Sequence, residues 1–186
     1  MARMSGRIEL ICGPMFAGKT TELLARLAAG RAAGLRVVAV QPVGDTRSGR
    51  GWLRSHTGDS FAAQAIAVVP DLPGVTNGAE VVGVDEAHFF GADLADGCRA
   101  LAAQGVRVIA AGVDFDHRGR LFPAIAALQQ CADERTTLTA RCARCGAEAV
   151  YTQRLAASDA PIVVGGAEAY EPRCPACFDP PSTDGC

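Results

Sequence analysis

Eight residues close to the N-terminus hold the most chemistry in the smallest space. Gly13-Pro14-Met15-Phe16-Ala17-Gly18-Lys19-Thr20 fits G-x-x-x-x-G-K-[ST]. Glycines let such a backbone curl so that several N–H groups aim at one phosphate cluster. A helix opening at Lys19 adds its positive end to the same spot. The lysine reaches the β- and γ-phosphates as a compact point charge, and the Thr20 hydroxyl can ligate Mg²⁺. Composition sharpens the point: the chain has 17 arginines and one lysine, Lys19. A bias that replaces lysine wherever arginine serves leaves lysine where the planar guanidinium does not serve.

A second group follows an apolar run. Val81-Val82-Gly83-Val84 leads into Asp85-Glu86. An acid at the C-terminal tip of a parallel strand faces the crevice where such sheets take ligands. Asp85 is placed as the second Mg²⁺ partner, and Glu86 lies one residue beyond, able to act on a nucleophile. A third group is Cys142-x-x-Cys145 with Cys174-x-x-Cys177. Two such pairs make the four-thiolate pattern of a structural zinc, with no coordination position left for catalysis. The 28 residues between the pairs form a long loop, the length at which lids are found. Cys12 and Cys131 read as packing residues.

These groups need a frame. Ile8–Cys12 reads as a buried strand ending at Gly13-Pro14, and Lys19 to Ala33 as a helix closed by Gly34. Further strands are expected at Arg36–Gln41, Ala65–Val69, Glu80–Val84 and Val106–Ala111. Helices are expected at Leu94–Gln104 and Pro123–Cys131, and a mobile polar loop at Gly44–Gly58. The alternation predicts an α/β fold of the P-loop NTPase type: a parallel sheet with helices on both faces. The pattern changes after about Ala140. The expected division is a nucleotide-binding domain over 1–140 and a small zinc-binding lasso domain over 141–186.

Composition bounds the alternatives. At 49% hydrophobic, 20% charged and a net charge of −2, the chain has a core and no basic surface for nucleic acid. No run approaches the length of a membrane helix, and Met1–Arg7 lacks the features of a secretory signal. A cytoplasmic protein with no nucleic-acid and no membrane partner is expected. Two other functions share parts of the pattern. One is a plain ATPase in which Glu86 activates water. The other is a zinc-ribbon nucleic-acid binder, which the charge and the scarcity of Trp and Tyr oppose.

Taken together, the motifs resemble the type II, or cellular-type, thymidine kinases. The matching segments are Gly13-Pro14-Met15-Phe16-Ala17-Gly18-Lys19-Thr20-Thr21-Glu22-Leu23, Asp45-Thr46-Arg47, Asp85-Glu86-Ala87-His88-Phe89-Phe90, Asp114–Phe122, Tyr151-Thr152, Val164-Gly165-Gly166-Ala167, Tyr170 and the four cysteines. The resemblance implies ATP-dependent phosphorylation of the thymidine 5′-hydroxyl to dTMP. It implies Glu86 as base and Mg·ATP held by residues 13–21 and by Asp85, Glu86, Ala87 and His88. It implies a nucleoside pocket of Met15, Phe89, Val113, His117, Thr152, Ile162, Val163, Val164, Gly165 and Tyr170. It further implies a homotetramer, inhibition by dTTP and a structural Zn²⁺. Two residues depart from the family: His88 stands where Gln is usual, and His117 where an aromatic ring, usually Phe, packs on the base. Histidine can still stack, or can point to solvent, and it can take up charge near pH 6.5.

Overall fold

The computed structural model describes residues 6–44, 51–55, 58–155 and 165–181. In chain order the elements are β1 (Arg7–Gly13), α1 (Lys19–Ala32), β2 (Val37–Pro42), β3 (Trp52–Arg54), β4 (Ser60–Ile66), α2 (Leu72–Val75), β5 (Val81–Val84), α3 (Leu94–Ala103), β6 (Arg107–Val113), α4 (Pro123–Cys131) and β7 (Glu134–Thr137). Short strands follow: β8 (Ala140–Arg141), β9 (Glu148–Ala149), β10 (Tyr151–Arg154) and β11 (Tyr170–Arg173).

Seven strands form one sheet in the order β3-β4-β2-β5-β6-β1-β7. All its pairings are parallel except β3 with β4. Strand residues alternate between two cores. Ile11, Ala39, Val81 and Ile109 meet Leu23, Leu24 and Leu27 of α1 on one face. Leu10, Val40, Val82 and Val108 meet α3 and α4 on the other. The expected double cover is therefore present, each near-continuous apolar strand being buried on both sides. Helix α1 ends in a Schellman arrangement: the Leu35 N–H donates to Gly30 O and the left-handed Gly34 N–H to Arg31 O.

One buried charge cluster ties this frame together. Glu9 on β1 is fully buried on the α1 face. It accepts two hydrogen bonds from Arg107, at 2.6 and 2.9 Å, one from Arg26 at 2.8 Å, and an ion pair from Arg7 at 2.7 Å. Burial alone would raise its pKa, but the guanidiniums outweigh that and hold the carboxyl below the usual range.

Three expectations need correction. The strand expected at Ala65–Val69 is Ser60–Ile66, and Val69–Asp71 is a 3₁₀ turn entered at Pro70. Ser60–Gln64 hid the strand because it is largely exposed, its small residues give no alternation, and its neighbour β3 is an exposed edge. The loop expected at Gly44–Gly58 contains β3; its residues 45–50 and 56–57 lie outside the described residues. Strand β7, which pairs with β1 through Glu9↔Glu134 to Cys12↔Thr137, was not anticipated, since Glu-Arg-Thr-Thr has no apolar signature. It is an edge strand, and β-branched threonines with charges suit an edge.

After β7 two small antiparallel pairs appear, β8–β9 and β10–β11. The β10–β11 ladder runs from Tyr151↔Arg173 to Arg154↔Tyr170, and the Leu155 N–H donates to Ala169 O at 2.8 Å just beyond it.

Candidate active site

The phosphate loop fills the turn between β1 and α1, as its spacing requires. Gly13 has φ 148°, and a Cβ there would sit 2.2 Å from Leu138 O, so only glycine lets the chain leave the strand at this point. Gly18 takes the left-handed conformation at the start of α1. Lys19 Nζ donates to Pro14 O at 2.6 Å, which folds the lysine back across its own loop. The Met15 N–H donates to Thr152 Oγ1 at 3.0 Å, so the loop is tied to β10.

Asp85 follows β5 on the face covered by α1. Its Oδ2 accepts the Thr20 hydroxyl at 3.0 Å, and its Oδ1 accepts the Glu86 N–H at 2.9 Å. Two hard oxygens at this separation fit Mg²⁺: metal–oxygen bonds of about 2.0–2.1 Å give an octahedral edge of about 2.9 Å. Glu86 itself sits at φ 51°, a left-handed conformation unusual for glutamate. Such backbone costs about 1–3 kcal/mol and clusters at functional positions. It turns the chain out of the strand direction into the 3₁₀ turn Ala87–Phe89.

That turn packs on β6 because Gly112 has no side chain; a Cβ there would lie 2.8 Å from Ile125 and 3.1 Å from the His88 nitrogen. His88 then reaches Val113. The Val113 N–H donates to His88 Nδ1 at 3.2 Å, and Glu86 Oε2 lies 3.4 Å from the same nitrogen. His88 Nδ1 therefore lies between a backbone donor and the Glu86 carboxylate. The ring lies against Phe89 and Phe122, with centroids 4.4 and 5.0 Å away.

His117 is buried, so it does not point to solvent. Burial pushes its pKa down from 6.5, and the positive charge of Arg154 adds to this, so the ring is neutral where an exposed histidine would begin to charge. Tyr170 is also buried, with the Arg154 guanidinium 5.9 Å above its ring. Gly165 is half-buried, while Ile162, Val163 and Val164 lie outside the described residues, as do Asp45, Thr46 and Arg47.

The four cysteine sulfurs of Cys142, Cys145, Cys174 and Cys177 lie within 4.8 Å of one another. Zinc–sulfur bonds of about 2.3 Å give a tetrahedral edge of about 3.8 Å, so the cluster fits the ion. Backbone N–H groups reinforce the fit. Burial would raise the Cys142 thiol, but the N–H groups of Cys174, Cys145 and Arg144 outweigh it and bring it to about 6. Two loops turn around the cluster, Gly146 N–H to Cys142 O and Phe178 N–H to Cys174 O.

A family model described as thymidine kinase matches residues 6–178. The chain belongs to the thymidine kinase family. A thymidine kinase of Roseiflexus sp. strain RS-1 is 47% identical over 188 residues, covering 95% of this chain and 97% of that protein. One from Chloroflexus aurantiacus strain J-10-fl is 43% identical over 184 residues, covering 94% and 95%. One from Halobacterium salinarum strain R1 is 42% identical over 183 residues, covering 93% and 94%. As a member of the thymidine kinase family, the protein is a kinase, a phosphoryl transferase. Among the described residues no helix is long and apolar enough to cross a membrane.

One residue of this thymidine kinase family site was passed over as a separate candidate. Asp114 is buried at the tip of β6, the strand between those that carry the phosphate loop and Asp85. Burial raises its pKa, against the pull of its own N–H, that of Phe115 at 3.0 Å and the charge of Lys19. The signal was legible: Gly83-Val84-Asp85 and Gly112-Val113-Asp114 end two adjacent parallel strands with the same tripeptide.

Proposed function

We propose that this protein transfers the γ-phosphoryl group of ATP to the 5′-hydroxyl of thymidine, giving dTMP. The observation that carries the reading is the Thr20–Asp85 oxygen pair at 3.0 Å beside a strained Glu86, in a chain whose relatives are thymidine kinases. Phosphate-loop N–H groups and Lys19 hold the triphosphate. Thr20 and Asp85 would hold Mg²⁺, which supplies charge neutralisation at the β- and γ-phosphates. Glu86 takes the hydroxyl proton as the new O–P bond forms and the bond from the γ-phosphorus to the bridging oxygen breaks, leaving ADP. Asp85 is unsuited to that duty, because a bound cation would occupy its charge.

The nucleoside lies against Met15, Phe89, Val113, His117, Thr152 and Tyr170, and Ile162, Val163, Val164 and Gly165 belong to the same proposed pocket by the family match. A neutral, buried His117 suits stacking on a base. The chain divides into a nucleotide-binding domain, 1–140, and a zinc-held domain, 141–186, whose Zn²⁺ is structural. Cytoplasmic location, assembly as a homotetramer and inhibition by dTTP belong to the same reading, supported by the family match. Sedimentation and a dTTP titration test the last two.

The deciding experiment phosphorylates a panel of nucleosides at fixed Mg·ATP. Thymidine should be converted to dTMP, and ADP release should depend on it. ADP release that is equal with and without thymidine would make the protein an ATPase instead.

A further inference from the structure

Gln41 is a buried polar side chain at the strand tips. It is the penultimate residue of β2 and is 1% exposed. Among the described residues, neither its Nε2 nor its Oε1 meets a hydrogen-bond partner, and both atoms are sealed from solvent. A buried amide in this condition destabilises the fold, and a methionine of the same shape would not. Its retention therefore points to a partner that arrives with the ligand.

The sheet says where that partner sits. Strands β2 and β5 are parallel neighbours in the register Ala39↔Gly83 and Val40↔Val84, and the Asp85 N–H continues the ladder to Val40 O at 2.9 Å. Gln41 and Asp85 are thus side by side. They share a face as well. Ala39 packs with α1, so Gln41, two residues on, points the same way. Gly83 lies under Leu23 and Leu27 of α1, and Asp85, two residues on, reaches Thr20. Gln41 is thus the β2 neighbour of Asp85 on the sheet face that α1 covers.

We propose that Gln41 receives the water shell of the Mg²⁺ that Thr20 and Asp85 would bind. Mg²⁺ keeps several of its waters when it enters a protein, and those waters need partners. Gln41 Oε1 accepts a hydrogen bond from a metal-bound water, which the cation makes a strong donor. Such outer partners typically change metal affinity by about 10–100-fold. Gln41 is a positioning residue, since it acts through the hydrated ion. The inference rests on the assignment of Thr20 and Asp85 as metal partners.

The test compares wild type with Gln41→Met, Gln41→Glu and Asp85→Asn, by calorimetry with ATP and by thermal unfolding. In EDTA without nucleotide, Gln41→Met should unfold about 2–4 °C higher than wild type, because the orphaned amide is gone. Its affinity for metal-free ATP should be unchanged, and its affinity for Mg·ATP about tenfold weaker. Gln41→Glu should do the reverse: a lower midpoint in EDTA, beside the charge of Asp85, and a larger gain from Mg²⁺. A lower midpoint for Gln41→Met in EDTA would show that the amide holds the fold, and would overturn the inference. Equal weakening of ATP with and without Mg²⁺ would overturn it too, in favour of a direct phosphate contact. Asp85→Asn separates the two levels. If it loses the Mg²⁺-dependent gain while Gln41→Met keeps it, only the role of Gln41 falls. If Asp85→Asn keeps the gain, the metal assignment falls and the inference with it.

Discussion

Glu9 and Gln41 lie on the same face of the same sheet, under the same helix, and are treated in opposite ways. Glu9, on the first strand, is a fully buried carboxylate surrounded by Arg7, Arg26 and Arg107. Gln41, at the C-terminal tips of the strands, is a fully buried amide with no partner among the described residues. The same contrast extends to their neighbours. Arg26 also bonds Glu22, Glu134 and Thr136. At the strand tips, Asp114 is buried with only backbone N–H donors and a raised pKa, and Glu86 holds a left-handed backbone. Glu9 is buried with its charge partners in place, and Gln41 with none among the described residues.

This contrast can be broken by mutation. The largest effect belongs to Lys19→Ala, which should cut phosphoryl transfer by about 10³-fold while the ligand-free unfolding midpoint stays near wild type. Lys19→Arg should also be severely impaired, since the planar fork does not replace the point charge. Near-normal turnover by the arginine variant would mean that the lone lysine has another explanation. Next comes Glu9→Ala, which strands three guanidiniums around a buried gap. It should lose about 3–5 kcal/mol in urea unfolding, with kcat of the folded fraction retained. A Glu9 variant that is stable but inactive would place the cluster in the catalytic machinery and erase the distinction. Glu86→Gln should lower kcat by about 10²-fold, with KM for thymidine little changed and stability intact. Retention of kcat, with chemistry shown to be rate-limiting, would move the base elsewhere.

The smallest effect is a pH dependence. Glu9 has a folded pKa below 4.5 and His117 one below 6.5. In both cases the unfolded chain binds the proton more readily, so stability falls as pH falls. His117 contributes from pH 6.5 downward and Glu9 from pH 4.5 downward. His117→Phe should flatten the upper part of the acid unfolding curve and Glu9→Gln the lower part. An unchanged curve in both variants would contradict these assignments.

The fold was legible wherever it depends on local pattern. Leu23, Leu24 and Leu27 mark α1 by spacing, and Val81–Val84 marks β5 by its continuous apolar run. Strands β3 and β7 were not legible, because an edge strand owes its existence to its neighbour and carries polar residues. At the site, the phosphate loop, the acid pair and the four cysteines are written as spacing. The bond from Met15 to Thr152 crosses 137 residues and has no local signature. Gln41 is invisible for a related reason: one glutamine at the end of an apolar strand looks like a boundary until its burial is known.

The β10–β11 ladder closes part of the segment between the two cysteine pairs. Between Cys145 and Cys174 there are 28 residues, but the pairing ends in the bond from Leu155 to Ala169, so only residues 156–168 lie inside both fastenings. Considered as a polymer, the segment is two nested rings, with the cysteine cluster at the base of the outer one and main-chain hydrogen bonds closing the inner. Closure entropy grows with the logarithm of ring size, and a twofold difference in length is worth only about 0.6 kcal/mol. The entropies of closing the two rings therefore differ little. A metal held by the four cysteines would add redundancy, since opening of the β10–β11 ladder would leave the ends of the segment still joined.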